Sequence, residues 1–523
     1  MSQQVQFQTS PEQAEDQIYL RNRIATLLSL PTEGFNFKWL KKSVDARKRN
    51  ILINATFEVF DLEERVEKKI YFQEQNVSNQ VEVVIIGAGP AGLFAALRAI
   101  ELGLKPIIYE RGKDVRARRR DLAKLNKESI VNSESNYCFG EGGAGTYSDG
   151  KLYTRSKKRG DVLKSLQWFV EFGADVMILV DAHPHIGTNK LPQVIINMRE
   201  KILACGGEIH FNSKLTDLEL AQNQISKITI NSQEEIFVKH LILATGHSAR
   251  DIFYLLHKKG IEIQAKGFAL GVRIEHQQEL IDRIQYHGRL NDEYLPPASY
   301  SLVTQVEGKG VYSFCMCPGG IIAPCATSQE EVVTNGWSPS KRNNPYSNSG
   351  MVVSILPEDF PNFENNPFVC LDFQKEVERK CWEAAGKTQQ VPVQCLVDFI
   401  QGKISKTIPR SSYQPGVFST DLNQILPPQI AKRLKIAFQD FGKKMPGFLT
   451  NDAVLHAPES RTSSPVQIPR NEESLQHIRV SGLYPCGEGA GYAGGIISAA
   501  IDGMKCVEAI STSIQISSKK LGE

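Results

Sequence analysis

No uninterrupted apolar run in this sequence approaches the roughly 20 residues that a membrane-spanning helix requires. The first stretch, Met1 to Asp16, is polar and lacks the apolar centre of a secretory signal, so no leader is expected there. There is no strong charge of either sign: a net charge of +3 selects neither nucleic acid nor an anionic surface. There is no disulfide framework either. Ten cysteines are scattered through 523 residues, which points to reduced thiols and a cytoplasmic setting. A complete set of metal ligands is also missing. Cys315-Met-Cys317-Pro-Gly-Gly320 and then Cys325 offer three thiols, but no matching ligand pair follows, so no metal is expected. What is present is an ordinary globular composition, 41% hydrophobic and 23% charged, in a chain too long for a single core.

One stretch organises the rest. Val83-Val84-Ile85-Ile86 reads as a buried parallel strand and runs directly into Gly87-Ala88-Gly89-Pro90-Ala91-Gly92. Gly87 allows a tight turn, Gly89 leaves room for a pyrophosphate against the backbone, and Gly92 lets the next helix lie close to the strand. Pro90 suits a first helical turn, where its missing N–H costs nothing. A second strand, Pro106 to Tyr109, delivers Glu110, whose carboxylate is placed to accept hydrogen bonds from an adenosine ribose and to repel a 2′-phosphate. Strand, glycine turn, helix, strand and acid together predict a dinucleotide site.

Other segments take their meaning from this one. Arg111, followed by the basic run Arg116-Ala117-Arg118-Arg119-Arg120, supplies guanidinium donors for a pyrophosphate, with Arg111 and Arg118 the candidates. Phe139-Gly-Glu-Gly142-Gly143-Ala-Gly-Thr-Tyr-Ser-Asp-Gly-Lys-Leu152 formally repeats the glycine motif, but no strand precedes it. It reads as a flexible loop whose backbone N–H groups at Gly142 and Gly143 approach a ligand. Helices are expected over 161–173 and 191–206, and strands over Val176–Leu179, 208–211, 215–220 and 225–230; Leu215 is a further candidate contact. Phe237 to Gly246 reads as a buried strand ending at Thr245-Gly246, where small residues let backbone meet cofactor. A third glycine motif, Gly487-Glu488 through Gly494-Gly495-Ile496, lies between a strand and a helix. No strand and acid follow it, so it does not hold a nucleotide of its own.

These boundaries give an α/β protein: a Rossmann-like dinucleotide-binding domain (79–265 and 453–523), an inserted α+β domain with an antiparallel sheet (266–452), and a small N-terminal α+β domain (1–78). In the last, 18–28 and more weakly 37–44 have helical spacing, while 51–60 and 65–72 alternate like strands. Its basic stretch Lys41-Lys42…Arg47-Lys48-Arg49 reads as a solvated helix face before it reads as a nucleic-acid patch.

The motifs Gly87-to-Gly92, Glu110-Arg111, Ala244-Thr245-Gly246 and the C-terminal glycine–acid–helix element resemble the glutathione-reductase-type FAD fold. The longer motifs at 139–152, His185-Ile-Gly-Thr-Asn-Lys190, Glu459-Ser-Arg-Thr-Ser-Ser-Pro465 and 486–495 resemble the bacterial and plastid FAD-dependent, or NAD(FAD)-utilising, dehydrogenases. The resemblance implies FAD as cofactor. It also implies that Gly487, Glu488, Gly494, Gly495 and Ile496 meet the flavin's ribityl chain and pyrophosphate, with Glu488 standing where aspartate is usual. The second nucleotide fold and Cys-x4-Cys pair of the wider family's reductases are missing, which leaves open reduction by transiently bound NAD(P)H and reduction by another electron donor. Two functional readings stay open. One is an FAD-dependent oxidoreductase acting on a small or amphipathic organic substrate. The other is a protein whose FAD is structural and whose N-terminal domain binds RNA or protein. Catalytic residues are not assigned; His456 and Arg461 are candidates to face the ring, with Cys317 and His247 behind them.

Overall fold

The computed structural model describes residues 3–62, 70–153, 160–290 and 292–522, with side chains as far as residue 516. The strand expected from the buried run forms as Glu82–Ile86 and sits at the centre of a five-stranded parallel sheet. The strand order is Leu483–Pro485, Leu241–Leu243, Glu82–Ile86, Lys105–Tyr109, Glu208–His210. Val83 to Ile86 are buried because helices and a second small sheet cover both faces, as a parallel sheet requires. Helix Pro90–Glu101 follows the glycine turn and packs against the long C-terminal helix Ile496–Gly522. Their contact depends on Gly503: a Cβ there would lie 2.0 Å from the carbonyl oxygen of Ala91. Phe94, Trp168 and Phe169 complete this core.

The middle of the chain forms a seven-stranded sheet, in the order Val303–Val306, Lys309–Cys317, Tyr346–Ile355, Phe268–Gln277, Val454–Glu459, Val391–Cys395, Val417–Ser419, antiparallel except for the last pair. The boundary expected at 452 cuts this sheet, since Val454–Glu459 lies in its interior. Strand Phe268–Gln277 is buried at all but its last position. Leu270, Val272 and Ile274 face an apolar core shared with helix Pro428–Lys444. The alternate positions carry Arg273 and Glu275 on the opposite face.

The N-terminal unit is an antiparallel sheet ordered Gln3–Thr9, Leu52–Asp61, Phe35–Asp45, covered by helices Pro11–Glu15 and Gln17–Leu28. Residues 37–44, expected to be helical, form the strand Phe35–Asp45: Phe37 and Trp39 pack on Phe57, and cross-strand aromatic packing overrides the weak helical spacing. The strand expected over 65–72 falls mostly on 65–69, outside the described residues; 70–72 are irregular. Val176–Leu179, expected as a strand, is a 3-10 turn opened by Asp175, whose carboxylate accepts the Met177 amide at 3.0 Å. The buried strand expected over 237–246 is only three residues long, and Phe237 stands exposed on a separate edge.

Candidate functional site

The site is assembled from four backbone segments that meet at the carboxyl ends of the parallel strands, where open α/β sheets leave a crevice. The first is the turn at Gly87–Gly92. Gly87 has φ +106°, and a Cβ on it would sit 2.4 Å from the Ala244 carbonyl oxygen; at Gly92 a Cβ would sit 1.9 Å from the Gly87 oxygen. Gly89 differs, because its missing side chain faces space, with the Gly143 Cα at 3.8 Å as its one neighbour. Gly89 also caps helix Pro90–Glu101 without any side-chain hydrogen bond, leaving the first-turn amides without a side-chain cap.

Glu110 ends the second strand and is buried. Its carboxylate accepts the amide of Ala88 at 2.8 Å and the amides of Gly112 and Gly140 at 2.9 Å each. It therefore ties three glycine-containing turns together while still lining the cavity, and its one remaining acceptor position, on Oε2, is available to a ribose hydroxyl.

The third segment is the loop 136–150, and its organiser is Arg118. That guanidinium is fully buried and donates to the carbonyls of Asn136, Tyr137, Glu141 and Gly143 and to the Thr146 hydroxyl, at 2.7–3.3 Å. All its N–H groups are thus used within the protein, and Arg118 does not line the cavity; the sequence expectation of a phosphate ligand is corrected. It instead gives the loop the shape that sets Gly143 beside Gly89. Arg111 does line the cavity, braced by Glu134 and Asp251 and stacked over Phe139 at 4.3 Å.

The fourth segment joins Thr245-Gly246 to Gly487-Glu488 and the start of the C-terminal helix at Gly495-Ile496. Asp502 accepts the Gly487 amide at 2.7 Å and holds this turn from the helix side. Burial pushes the Glu488 carboxyl up to about 7, with Lys266 pulling it partly back.

Together these segments enclose a cavity of about 1370 Å³, including its open mouth. Of the sequence candidates, Gly87, Gly89, Pro90, Ala91, Glu110, Arg111, Gly143, Leu215, Thr245, Gly246, Gly487, Glu488, Gly495 and Ile496 line it. Ala88, Gly92 and Gly142 are buried and outside that lining, and Gly494 is exposed to solvent beyond it. Gly142, at φ +78°, could not carry a Cβ, because Thr146 Oγ1 would be 2.0 Å away. The glycine faces, the uncapped helix start and the buried carboxylate fit a bound dinucleotide, and no side chain blocks the cradle.

At the other end the wall is supplied by the seven-stranded domain: Phe314, Cys315, Asn335, Arg461 and Thr462. Arg461 sits in a buried four-charge cluster with Glu331 (2.6 Å), Glu378 (3.1 Å) and Arg250. Burial opposes the Glu331 charge, but the two arginines hold its carboxyl down to about 2. His247 lines the cavity and is neutral, driven down to about 3 by burial and by the positive charges of Arg461 and Arg250. His456 does not face the cavity. It lies inside the sheet, with Nε2 2.8 Å from Ser411 Oγ, because residue 456 belongs to an interior strand. Sequence reasoning missed Phe314, whose only signal is that it adjoins the Cys-x-Cys stretch, and Asn335, which has none. Among the described residues one group could gather metal ligands, Cys486, Asp502 and Cys506. Its centre already holds a cation: Arg470 pairs with Asp502 at 2.6 Å and lies 3.8 Å from Cys506 Sγ.

Known proteins resemble this chain in parts and as a whole. Residues 81–252 match the family model described as pyridine nucleotide-disulphide oxidoreductase. Residues 267–462 match the one described as FAD-dependent protein, C-terminal domain-like, and residues 1–60 match a domain of unknown function. A protein of Clostridium beijerinckii, described as uncharacterized, is 40% identical over 521 residues, covering 95% of this chain and 96% of that one. A dual trans-enoyl reductase/FAD-dependent monooxygenase of Aspergillus terreus is 46% identical over 43 residues, 8% of this chain and 6% of the other. Among solved structures, a halogenase variant in complex with FAD overlaps with a TM-score of 0.38 at 11% identity, covering 84% of this chain and 70% of that one. A geranylgeranyl bacteriochlorophyll reductase-like protein of Thermoplasma acidophilum gives 0.35 at 12%, covering 84% and 80%.

Proposed function

The chain belongs to one family with the clostridial protein and is a flavoprotein whose cofactor is FAD, and from that premise we propose that it is an FAD-dependent dehydrogenase or reductase of the NAD(FAD)-utilising type, acting on a small or amphipathic organic substrate. When bound, FAD supplies hydride or one-electron chemistry; the protein supplies binding, orientation and shielding.

The observation that carries the reading is the two-sided cavity. Glycine turns and Glu110 form one wall, and the seven-stranded domain closes the other with Phe314, Cys315, Asn335 and Thr462. Glu110 would hold the ribose, the Gly87–Gly92 turn and Gly143 the pyrophosphate, and Gly487–Glu488 with Gly495–Ile496 the chain leading to the ring. Residues of the seven-stranded domain would then cover the reacting end, keep water away from it and shape the substrate pocket. Glu488, protonated up to about pH 7, can donate as well as accept a hydrogen bond in that cavity below this value and can only accept above it. Among the described residues there is one parallel sheet with one dinucleotide turn, which supports a pyridine nucleotide that binds and leaves over one that stays.

The test is an anaerobic titration of the yellow protein with NADH and then NADPH. Loss of the flavin band at roughly 450 nm with one of them is the expected result. A flavin that dithionite reduces but neither nucleotide does would remove the pyridine-nucleotide part of the reading. Of the basic stretch 41–49 in the N-terminal unit, Lys42 and Arg47 pair with Glu15 and Asp45, which lowers the charge left to an RNA.

A further inference from the structure

Cys315 and Cys317 lie on the strand Lys309–Cys317 just where its pairing with Tyr346–Ile355 slips register between Phe314 and Cys317. In a regular strand, residues two apart stand near the upper limit of the Cα separation a disulfide tolerates. Here the strand is not regular. Cys315 has φ +47°, in the left-handed region that a side chain rarely adopts, so regular alternation is broken and both thiols reach the one Lys151 ammonium. Cys317 Sγ donates to the Cys315 carbonyl at 3.3 Å, and Lys151 Nζ lies 3.7 Å from Cys315 Sγ and 3.6 Å from Cys317 Sγ. Lys151 also donates to the Met316 carbonyl between them. Cys315 lines the cavity that takes the cofactor, while Cys317 is fully buried behind it. No third metal ligand joins the pair among the described residues, and a packing thiol needs no strained backbone; Lys151, which also faces Asp149 at 3.7 Å, stands within reach of both sulfurs.

We infer that Cys315 and Cys317 are a redox-active dithiol, with Cys315 as the attacking sulfur, Cys317 as the resolving sulfur and Lys151 as the positioning residue, and that its partner couple is a disulfide entering the cavity. The asymmetry between the thiols supports this division. The neighbouring Cys317 and then the charges of Lys151 and Arg273 hold the Cys315 thiol well below its ordinary value, whereas the neighbouring Cys315 and burial push Cys317 up. The Cys315 thiolate attacks one sulfur of the incoming disulfide RSSR; that S–S bond breaks, and RS⁻ leaves and takes a proton from water. Cys317 gives its proton to water and attacks the Cys315 sulfur of the mixed disulfide. The Cys315–Cys317 bond forms, and the second RS⁻ leaves and is protonated. Two electrons and two protons have then passed from the protein dithiol to RSSR. The inference uses the flavoenzyme reading only for what neighbours Cys315, and it stands or falls on thiol chemistry.

The experiment equilibrates the FAD-loaded protein in graded mixtures of reduced and oxidised glutathione, quenches in acid, alkylates after unfolding and weighs the peptide containing 315–317. A single two-electron transition is expected, from two alkylated thiols to none. In Cys317→Ser, Cys315 should be trapped as a mixed disulfide with glutathione, and in Cys315→Ser, Cys317 should stay alkylatable throughout. Both thiols remaining alkylatable in the wild type, or pairing with Cys138 or Cys325 instead, would overturn the inference. A second measurement follows the rate of Cys315 alkylation against pH. Lys151→Met should move its midpoint up by about one pH unit or more, and an unmoved midpoint would remove Lys151 from its role. Anaerobic bleaching by NADH or NADPH is scored separately, so loss of the dithiol and loss of the dehydrogenase reading are distinct results.

Discussion

Gly89 and Gly92 belong to the same six-residue turn, yet the structure separates their duties, and alanine at each position makes the separation measurable. Gly89 has φ −75° and ψ −175°, an extended conformation open to any residue. A methyl group there would meet only the Gly143 Cα at 3.8 Å, an ordinary contact. The backbone gain from replacing glycine, about 0.4–1 kcal/mol, is offset by the poorer cap that alanine makes, so the apo-protein should keep its stability to within about 1 kcal/mol. The cost falls on the ligand, because the methyl group takes the space a pyrophosphate needs. Overpacking of that size is worth about 1–3 kcal/mol, or roughly 5- to 150-fold in the Kd for FAD, and Gly89→Val should abolish binding. Gly92→Ala inverts the pattern. Its methyl group would lie 1.9 Å from the Gly87 carbonyl oxygen and 3.3 Å from Ile85 Cγ2, so helix and strand must part. A loss of about 3 kcal/mol in the apo-protein is expected, before any cofactor is added. Fluorescence titration of apo-protein with FAD and urea unfolding of the same apo samples give the two quantities. Full FAD occupancy in Gly89→Val, or unchanged apo stability in Gly92→Ala, would refute the assignment of the turn.

Glu110→Gln should lose at least one of the three amide hydrogen bonds and weaken the others, raising the Kd for FAD by at least about tenfold in the same titration, since each charge-assisted bond is worth about 1.5–3 kcal/mol. Arg118→Met leaves four carbonyls and one hydroxyl without their donor, so the apo-protein should lose at least about 3 kcal/mol and become open to proteolysis within 136–146; a retained loop by limited proteolysis would count against its organising role. Glu488, raised by burial from 4.5 to about 7, binds more protons folded than unfolded, so its contribution to stability declines as pH rises from about 4.5 through 7. Glu488→Gln should flatten that decline in urea midpoints measured between pH 5 and 8, and an unchanged slope would mean the carboxyl titrates normally.

The dinucleotide turn was legible in the sequence because its information is local. A β-branched strand, three glycines at fixed spacing and an acid after the next strand are dictated by backbone sterics within 30 consecutive residues, and the structure puts them where that reasoning does. The antiparallel sheet expected in 266–452 was legible in part for the same reason: short alternating runs at 268–274 and 351–355 lie inside the strands Phe268–Gln277 and Tyr346–Ile355, though the strands run longer than those runs. Arg118 was misread because its neighbours in sequence are other arginines, while its five acceptors lie 18–28 residues away on a loop that only folding brings around it. His456 was misread because two residues close to a motif in sequence can point to opposite sides of a strand. Residues 37–44 carry a weak helical period that the aromatic cluster of Phe7, Phe37, Trp39 and Phe57 overrules once the sheet exists. The far wall of the cavity was decided by tertiary structure alone. Phe314, Cys315 and Asn335 reach the glycine cradle from a different sheet, and no local pattern encodes a contact between residues more than 200 positions apart. Backbone geometry is written locally and can be read locally, whereas the partner of a buried charge or thiol is chosen by whatever surface the fold presents to it.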